Sequence, residues 1–156
     1  ANRRLKNFIK MRNNIIGRQS EQDTLARIYE SRQAEFVAVC GRRRVGKTFL
    51  IREYFEEEMV FQTSGLAGAS TQEQLKNFFY TLRRYDKTAT EMPHDWLDAF
   101  EMLITYLDSL VKVERKVVFL DELPWMDTAN SGFVSALEHF WNGWASSKYV
   151  LWHCTK

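Results

Sequence analysis

The sequence predicts an α/β fold with a mostly parallel sheet and helices on both of its faces. Three observations predict it. Short apolar runs alternate with longer stretches whose apolar residues recur at helical spacing. Residues 41 to 48 read Gly-Arg-Arg-Arg-Val-Gly-Lys-Thr, a complete G-x-x-x-x-G-K-T, set between one such run and one such stretch. The third apolar run, Lys116-Val-Val-Phe-Leu120, ends in the acidic pair Asp121-Glu122.

In chain order, residues 1–15 form a basic N-terminal arm and 16–156 one domain. The first 18 residues hold Arg3, Arg4, Lys6, Lys10, Arg12 and Arg18 and no acid. Leu5, Phe8 and Ile9 would line one face of a short helix. This is either a solvated basic tail or an arm that contacts nucleic acid or a partner. Ser20 to Ser31 reads as a helix capped by Ser20, with Leu25, Ile28 and Tyr29 on one face. Glu35-Phe-Val-Ala-Val-Cys40 reads as a buried strand, with Cys40 as a small buried hydrophobe. The helix after the G-x-x-x-x-G-K-T loop runs to about Glu58, and Met59 to Thr63 is the second strand. Ser64-Gly-Leu-Ala-Gly-Ala-Ser70 is a loop of small residues. Thr71-x-x-Gln74 resembles a capping box and opens a helix to about Arg84. Asp95 to Val111 is amphipathic, with Trp96, Phe100, Leu103, Ile104, Leu107 and Leu110 on its apolar side. Lys116–Leu120 is the third strand, Ser131 to Ser146 a helix rich in aromatics, and Tyr149 to Trp152 the fourth strand. His139 reads as a surface or packing residue, and Trp125, Trp141, Trp144 and Trp152 as core.

The loop carries specific chemistry. Gly41 and Gly46 let the backbone curl until successive N–H groups point inward at phosphate oxygens. Lys47 puts a point charge on the β- and γ-phosphates, and Thr48 offers a hydroxyl to Mg²⁺. Arg44, Val45 and Phe49 flank that contact. The side chains of Arg42, Arg43 and Arg44 are either solvated or face a neighbouring subunit. The following helix adds its positive N-terminal dipole. Four apolar residues deliver Asp121 to the carboxyl end of a strand, where ligands sit in open α/β sheets. Asp121 would hold Mg²⁺ and Glu122 would act as general base on the attacking water. An Asp-Glu pair can also simply cap the next helix; the upstream loop is what makes the functional reading the stronger. Ile16-Gly17-Arg18 lies before the first helix, where it is either a base-contacting segment or a plain turn.

Composition bounds the partners. The chain has 156 residues, 22 basic and 20 acidic, a net charge of +2, and 14% aromatics. That is enough length for a sizeable core and too balanced a charge to demand nucleic acid. Cys40 and Cys154 lack metal-ligand spacing and suit a reducing, cytoplasmic setting. No apolar run approaches the ~18 residues of a membrane span.

Ile16-Gly-Arg18, Glu35-Phe-Val-Ala-Val39, the loop 41–48 and Val118-Phe-Leu-Asp-Glu-Leu-Pro-Trp125 together resemble a family of prokaryotic AAA-type ATPases. Ser131-Gly-Phe-Val-Ser-Ala-Leu-Glu-His-Phe-Trp-Asn142 extends the likeness, which spans about residues 14 to 150. It implies a three-layer P-loop NTPase core in which strand one lies between strands five and four. It also implies a helical lid after the core, often a further C-terminal domain, and ATP with Mg²⁺ as ligands. ATP over GTP rests on the resemblance, since no Asn-Lys-x-Asp guanine reader follows the third strand. The fourth strand would run into a polar sensor residue and a Gly-Ser-rich turn. Here the sequence stops at Lys156, with Thr155 near the sensor position. The expectation is an incomplete ATPase domain, with strand five, lid and sensor arginine missing, that binds ATP better than it hydrolyses it. The leading function is an ATPase core coupled to a protein partner or a homo-oligomer. The alternatives are a nucleotide switch with little hydrolysis and a DNA-associated ATPase of a mobile or defence element.

Overall fold

The computed structural model describes residues 15–31, 33–41, 45–148 and 150–155, the last six by their backbone alone. The arm up to Asn14, Arg42, Arg43, Arg44, Tyr149 and Lys156 lie outside the described residues, as do the side chains of Trp152, Cys154 and Thr155. The chain runs α1 (Gln19–Glu30), β1 (Glu35–Val39), α2 (Lys47–Tyr54), β2 (Met59–Ser64), α3 (Thr71–Tyr85) and α4 (Trp96–Ser109). It continues through β3 (Lys116–Asp121), α5 (Leu123–Met126), α6 (Phe133–Gly143), a 3₁₀ turn (Ala145–Ser147) and β4 (Val150–Thr155).

The four strands form one parallel sheet in the order β1-β4-β3-β2. Strand one thus lies beside strand four. Because all strands point the same way, the segments that follow β1, β2 and β3 gather at one end of the sheet.

β3 explains the layering. Val117 to Leu120 are fully buried, and successive side chains point to opposite faces. Val117 and Phe119 pack with Leu25 of α1 and with Leu50, Ile51, Tyr54 and Phe55 in and after α2. Val118 and Leu120 pack with Phe61, Leu75, Phe78, Phe100, Leu103, Phe133 and Phe140 of β2, α3, α4 and α6. Helices therefore cover both faces of the sheet. No helix among the described residues is long and apolar enough to cross a membrane.

Several element readings need correction. β1 alternates between half-buried and exposed residues rather than being buried. Val37 and Val39 turn toward α1 and α2, while Phe36 stays 41% exposed with Trp141 of α6 set edge-on at 5.5 Å. The reason is position: β1 is an outer strand among the described residues, and one of its faces is thinly covered. Cys40, just past it, is exposed. α1 begins at Gln19, and Ser20 lies inside it; Arg18 is the N-cap, with no side-chain cap bond. The capping box on α3 is formed by Ser70 and Glu73, one residue earlier than Thr71 and Gln74. α2 stops at Tyr54, and residues 55–58 turn instead of continuing the helix. The aromatic-rich helix ends at Gly143, followed by the 3₁₀ turn. Trp125, Trp141 and Trp144 are half-buried; among the described side chains the fully buried tryptophan is Trp96, packed against Phe78 and Phe133. His139 is exposed on α6.

Candidate functional site

The strand ends bring together what the sequence keeps far apart. Gly46 caps α2 with φ 77° and ψ 26°, a left-handed conformation that suits a residue without Cβ. Gly46 itself offers the first turn of α2 no side-chain cap. Lys47 folds back over the loop, and its Nζ donates to the Gly41 carbonyl at 2.8 Å. That contact holds the ammonium across the mouth of the loop.

Thr48 is the next residue, and its Oγ1 donates to Asp121 Oδ2 at 2.8 Å. The two are 73 residues apart in sequence, and Asp121 is buried. Its second oxygen, Oδ1, accepts from the Glu122 backbone N–H at 3.0 Å. One carboxylate thus bridges the end of the loop and the turn after β3. A hydroxyl and a carboxylate oxygen at this separation are hard oxygen donors of the kind magnesium takes. Among the described residues no three His, Cys, Asp or Glu side chains gather into a metal cage.

Glu122 does not lie on the strand. It is the first residue beyond it, in the left-handed region at φ 50° and ψ 43°. For a glutamate this is a strained conformation, of order 1–3 kcal/mol, and it persists because the surroundings fix it. Its N–H is held by Asp121, and its carbonyl accepts from Trp125 N–H at 3.0 Å.

The segment before α1 also reaches the loop. The Arg18 guanidinium comes within 3.8 Å of where a Cβ on Gly46 would stand. The charged end of Arg18 thus lies beside the G-x-x-x-x-G-K-T loop. Gln22, buried in α1, donates to the Gly17 carbonyl at 2.7 Å and so fixes the turn that carries Ile16 and Arg18. Ile16, Val45 and Phe49 are exposed apolar side chains, at 96%, 41% and 54%. Arg44 lies outside the described residues.

Three residues to which sequence reasoning gave no such role shape this end of the sheet. Gln22 is one. Gly65 follows β2, and its N–H donates to the Asp121 carbonyl at 2.9 Å. Gln74 of α3 is buried and grips Leu66 twice, accepting from its N–H at 3.0 Å and donating to its carbonyl at 2.6 Å. No motif marks these roles, because each acts on backbone rather than on a ligand. The one available signal for Gly65 is a glycine directly after a strand.

No protein-family model matches the chain. Over 50 residues it is 35% identical to an uncharacterized ATP-binding protein of Methanocaldococcus jannaschii, covering 32% of this chain and 85% of that protein.

Proposed function

The chain belongs to the same family as that archaeal ATP-binding protein, and on this premise we propose that it binds ATP with magnesium and hydrolyses it as an AAA-type ATPase. The observation that carries the proposal is the Thr48–Asp121 bridge at 2.8 Å, which joins the G-x-x-x-x-G-K-T loop to the acid at the end of β3. A loop of this type alone would need only backbone curvature. A buried carboxylate brought against its threonine is a costly arrangement that metal-phosphate chemistry explains.

In this reading the amides of Gly41 to Thr48 cradle the phosphates, and Lys47 leaves the Gly41 carbonyl for the β- and γ-oxygens. Val45, Phe49 and Ile16 offer apolar surface to the base, and Arg18 adds charge beside Gly46. Thr48 and Asp121 would hold magnesium, which when bound offsets the phosphate charge. Glu122 takes a proton from a water whose oxygen bonds to the γ-phosphorus. The bond from that phosphorus to the β–γ bridging oxygen breaks, giving ADP and phosphate. A protein partner or a second copy would receive the change in nucleotide state.

The test is titration of a fluorescent ATP analogue with and without Mg²⁺. Lys47→Ala should weaken binding by roughly 10- to 100-fold, the worth of about 1.5–3 kcal/mol for a charge-assisted hydrogen bond. Asp121→Asn should weaken it when Mg²⁺ is present and leave the metal-free affinity unchanged. Undiminished affinity in the lysine variant overturns the proposal.

A further inference from the structure

Two glycines in the loop between β2 and α3 are constrained for different reasons. Gly68 has φ +69° and open space around it, so its need is conformational. Gly65 has no such backbone requirement. A Cβ there would stand 2.6 Å from the Glu122 carbonyl oxygen, 3.1 Å from Trp125 Cβ and 3.2 Å from Met126 Cγ. The first distance is to backbone, which cannot swing aside as a flexible side chain can. The loop cannot easily back away either. Its Leu66 is gripped at N–H and carbonyl by Gln74, and Asn77 Nδ2 donates to the Ser64 carbonyl at 2.8 Å.

We propose that Gly65 is a positioning residue for Glu122: the bare Cα of Gly65, pressed on the Glu122 carbonyl by the Gln74 clamp, keeps that residue in its left-handed turn. The inference rests on the general-base role given above to Glu122. Its physical content is separate from nucleotide binding, because Gly65 meets Asp121 and Glu122 at their backbone carbonyls, whereas Thr48 meets Asp121 at its side chain. A methyl group at position 65 pushes the Glu122 peptide away and relaxes its backbone out of the left-handed region, carrying the carboxylate off the water. Asp121 stays bridged to Thr48, so the ligand is still held.

The experiment compares Gly65→Ala, Gly68→Ala and Gln74→Ala. In each, the affinity for the fluorescent ATP analogue and single-turnover hydrolysis of Mg·ATP are measured. The Glu122 amide and Trp125 indole resonances of the nucleotide-free chain are recorded beside them. Gly65→Ala is expected to keep affinity within about threefold, lose at least a hundredfold in hydrolysis, and move both resonances. Gln74→Ala, which loosens the clamp without a collision, should show the same split at a smaller size and serves if the alanine at 65 does not fold. Gly68→Ala should leave the resonances and the hydrolysis rate in place. Unmoved resonances, unchanged hydrolysis in Gly65→Ala, or a loss of affinity that matches the loss of rate each overturn the inference. If the unaltered chain binds ATP and does not hydrolyse it, the general-base reading fails by itself. The resonances still decide whether position 65 controls the turn.

Discussion

The helices at the two ends of this chain's chemistry start differently. α3 begins with Ser70, whose side chain accepts from Glu73 N–H while Glu73 reaches back to the Ser70 amide; α4 begins with Asp95, which accepts from Asp98 N–H. α1 and α2 begin with left-handed residues, Arg18 and Gly46, and neither has a side-chain cap. Free amides at a helix start are normally satisfied by the protein's own side chains. At α3 and α4, which pack against the aromatic core, that is what happens. α1 and α2 start beside the G-x-x-x-x-G-K-T loop without such a cap, and under the proposed function the start of α2 would meet a ligand instead.

The packing follows the same division. On one side of the sheet, Phe78, Trp96, Phe100, Phe133 and Phe140 form a dense cluster with ring centroids 4.8–6.1 Å apart. On the other, α1 and α2 pack a smaller aliphatic and aromatic set against Val117 and Phe119. One half is built for stability, and the other holds the groups proposed to meet the nucleotide.

The largest test of that division is in the cores. Phe100→Ala, at a buried ring touching four other aromatics, should cost about 3–5 kcal/mol in denaturant unfolding. Phe36→Ala on β1, half exposed, should cost about 1 kcal/mol or less. Equal losses would mean that β1 is as integral as the aromatic half. The caps give a middle-sized test. Ser70→Ala should cost about 1 kcal/mol of stability and leave nucleotide affinity alone. Arg18→Ala should do the reverse, with stability within about 0.5 kcal/mol and affinity down roughly tenfold.

The smallest effect belongs to Glu58, before β2. Burial raises its carboxyl above the ordinary range, Glu57 adds to this, and the Tyr29 hydroxyl, donating at 3.4 Å, opposes it. Between the ordinary carboxylate range and that raised value the folded chain binds more protons than the unfolded one. Stability therefore falls as pH rises through this window. Glu58→Gln should flatten that slope and raise stability above it by less than about 1 kcal/mol, since the group is partly solvated. Thermal melts from pH 4 to 8 would read it, and an unchanged slope would remove the assignment.

The sequence by itself determined the element types and their order. Period-two and period-3.6 patterns are local, and so are the loop 41–48 and the acids after β3, whose spacing alone named Lys47, Thr48, Asp121 and Glu122. It misplaced the α3 cap by one residue, because Ser70/Glu73 and Thr71/Gln74 are equally good local patterns; Gln74 is used instead to hold Leu66, a tertiary demand. It took β1 for a buried strand like β3, because an apolar run records hydrophobicity and not position in the sheet. Only the tertiary structure decided that Thr48 would meet Asp121 across 73 residues, that Glu122 would stand in a left-handed turn, and that Gly65 would press on its carbonyl. The first joins two side chains across a distance that no local pattern spans, and the last acts through a backbone carbonyl, which every residue carries alike, so no residue type announces it.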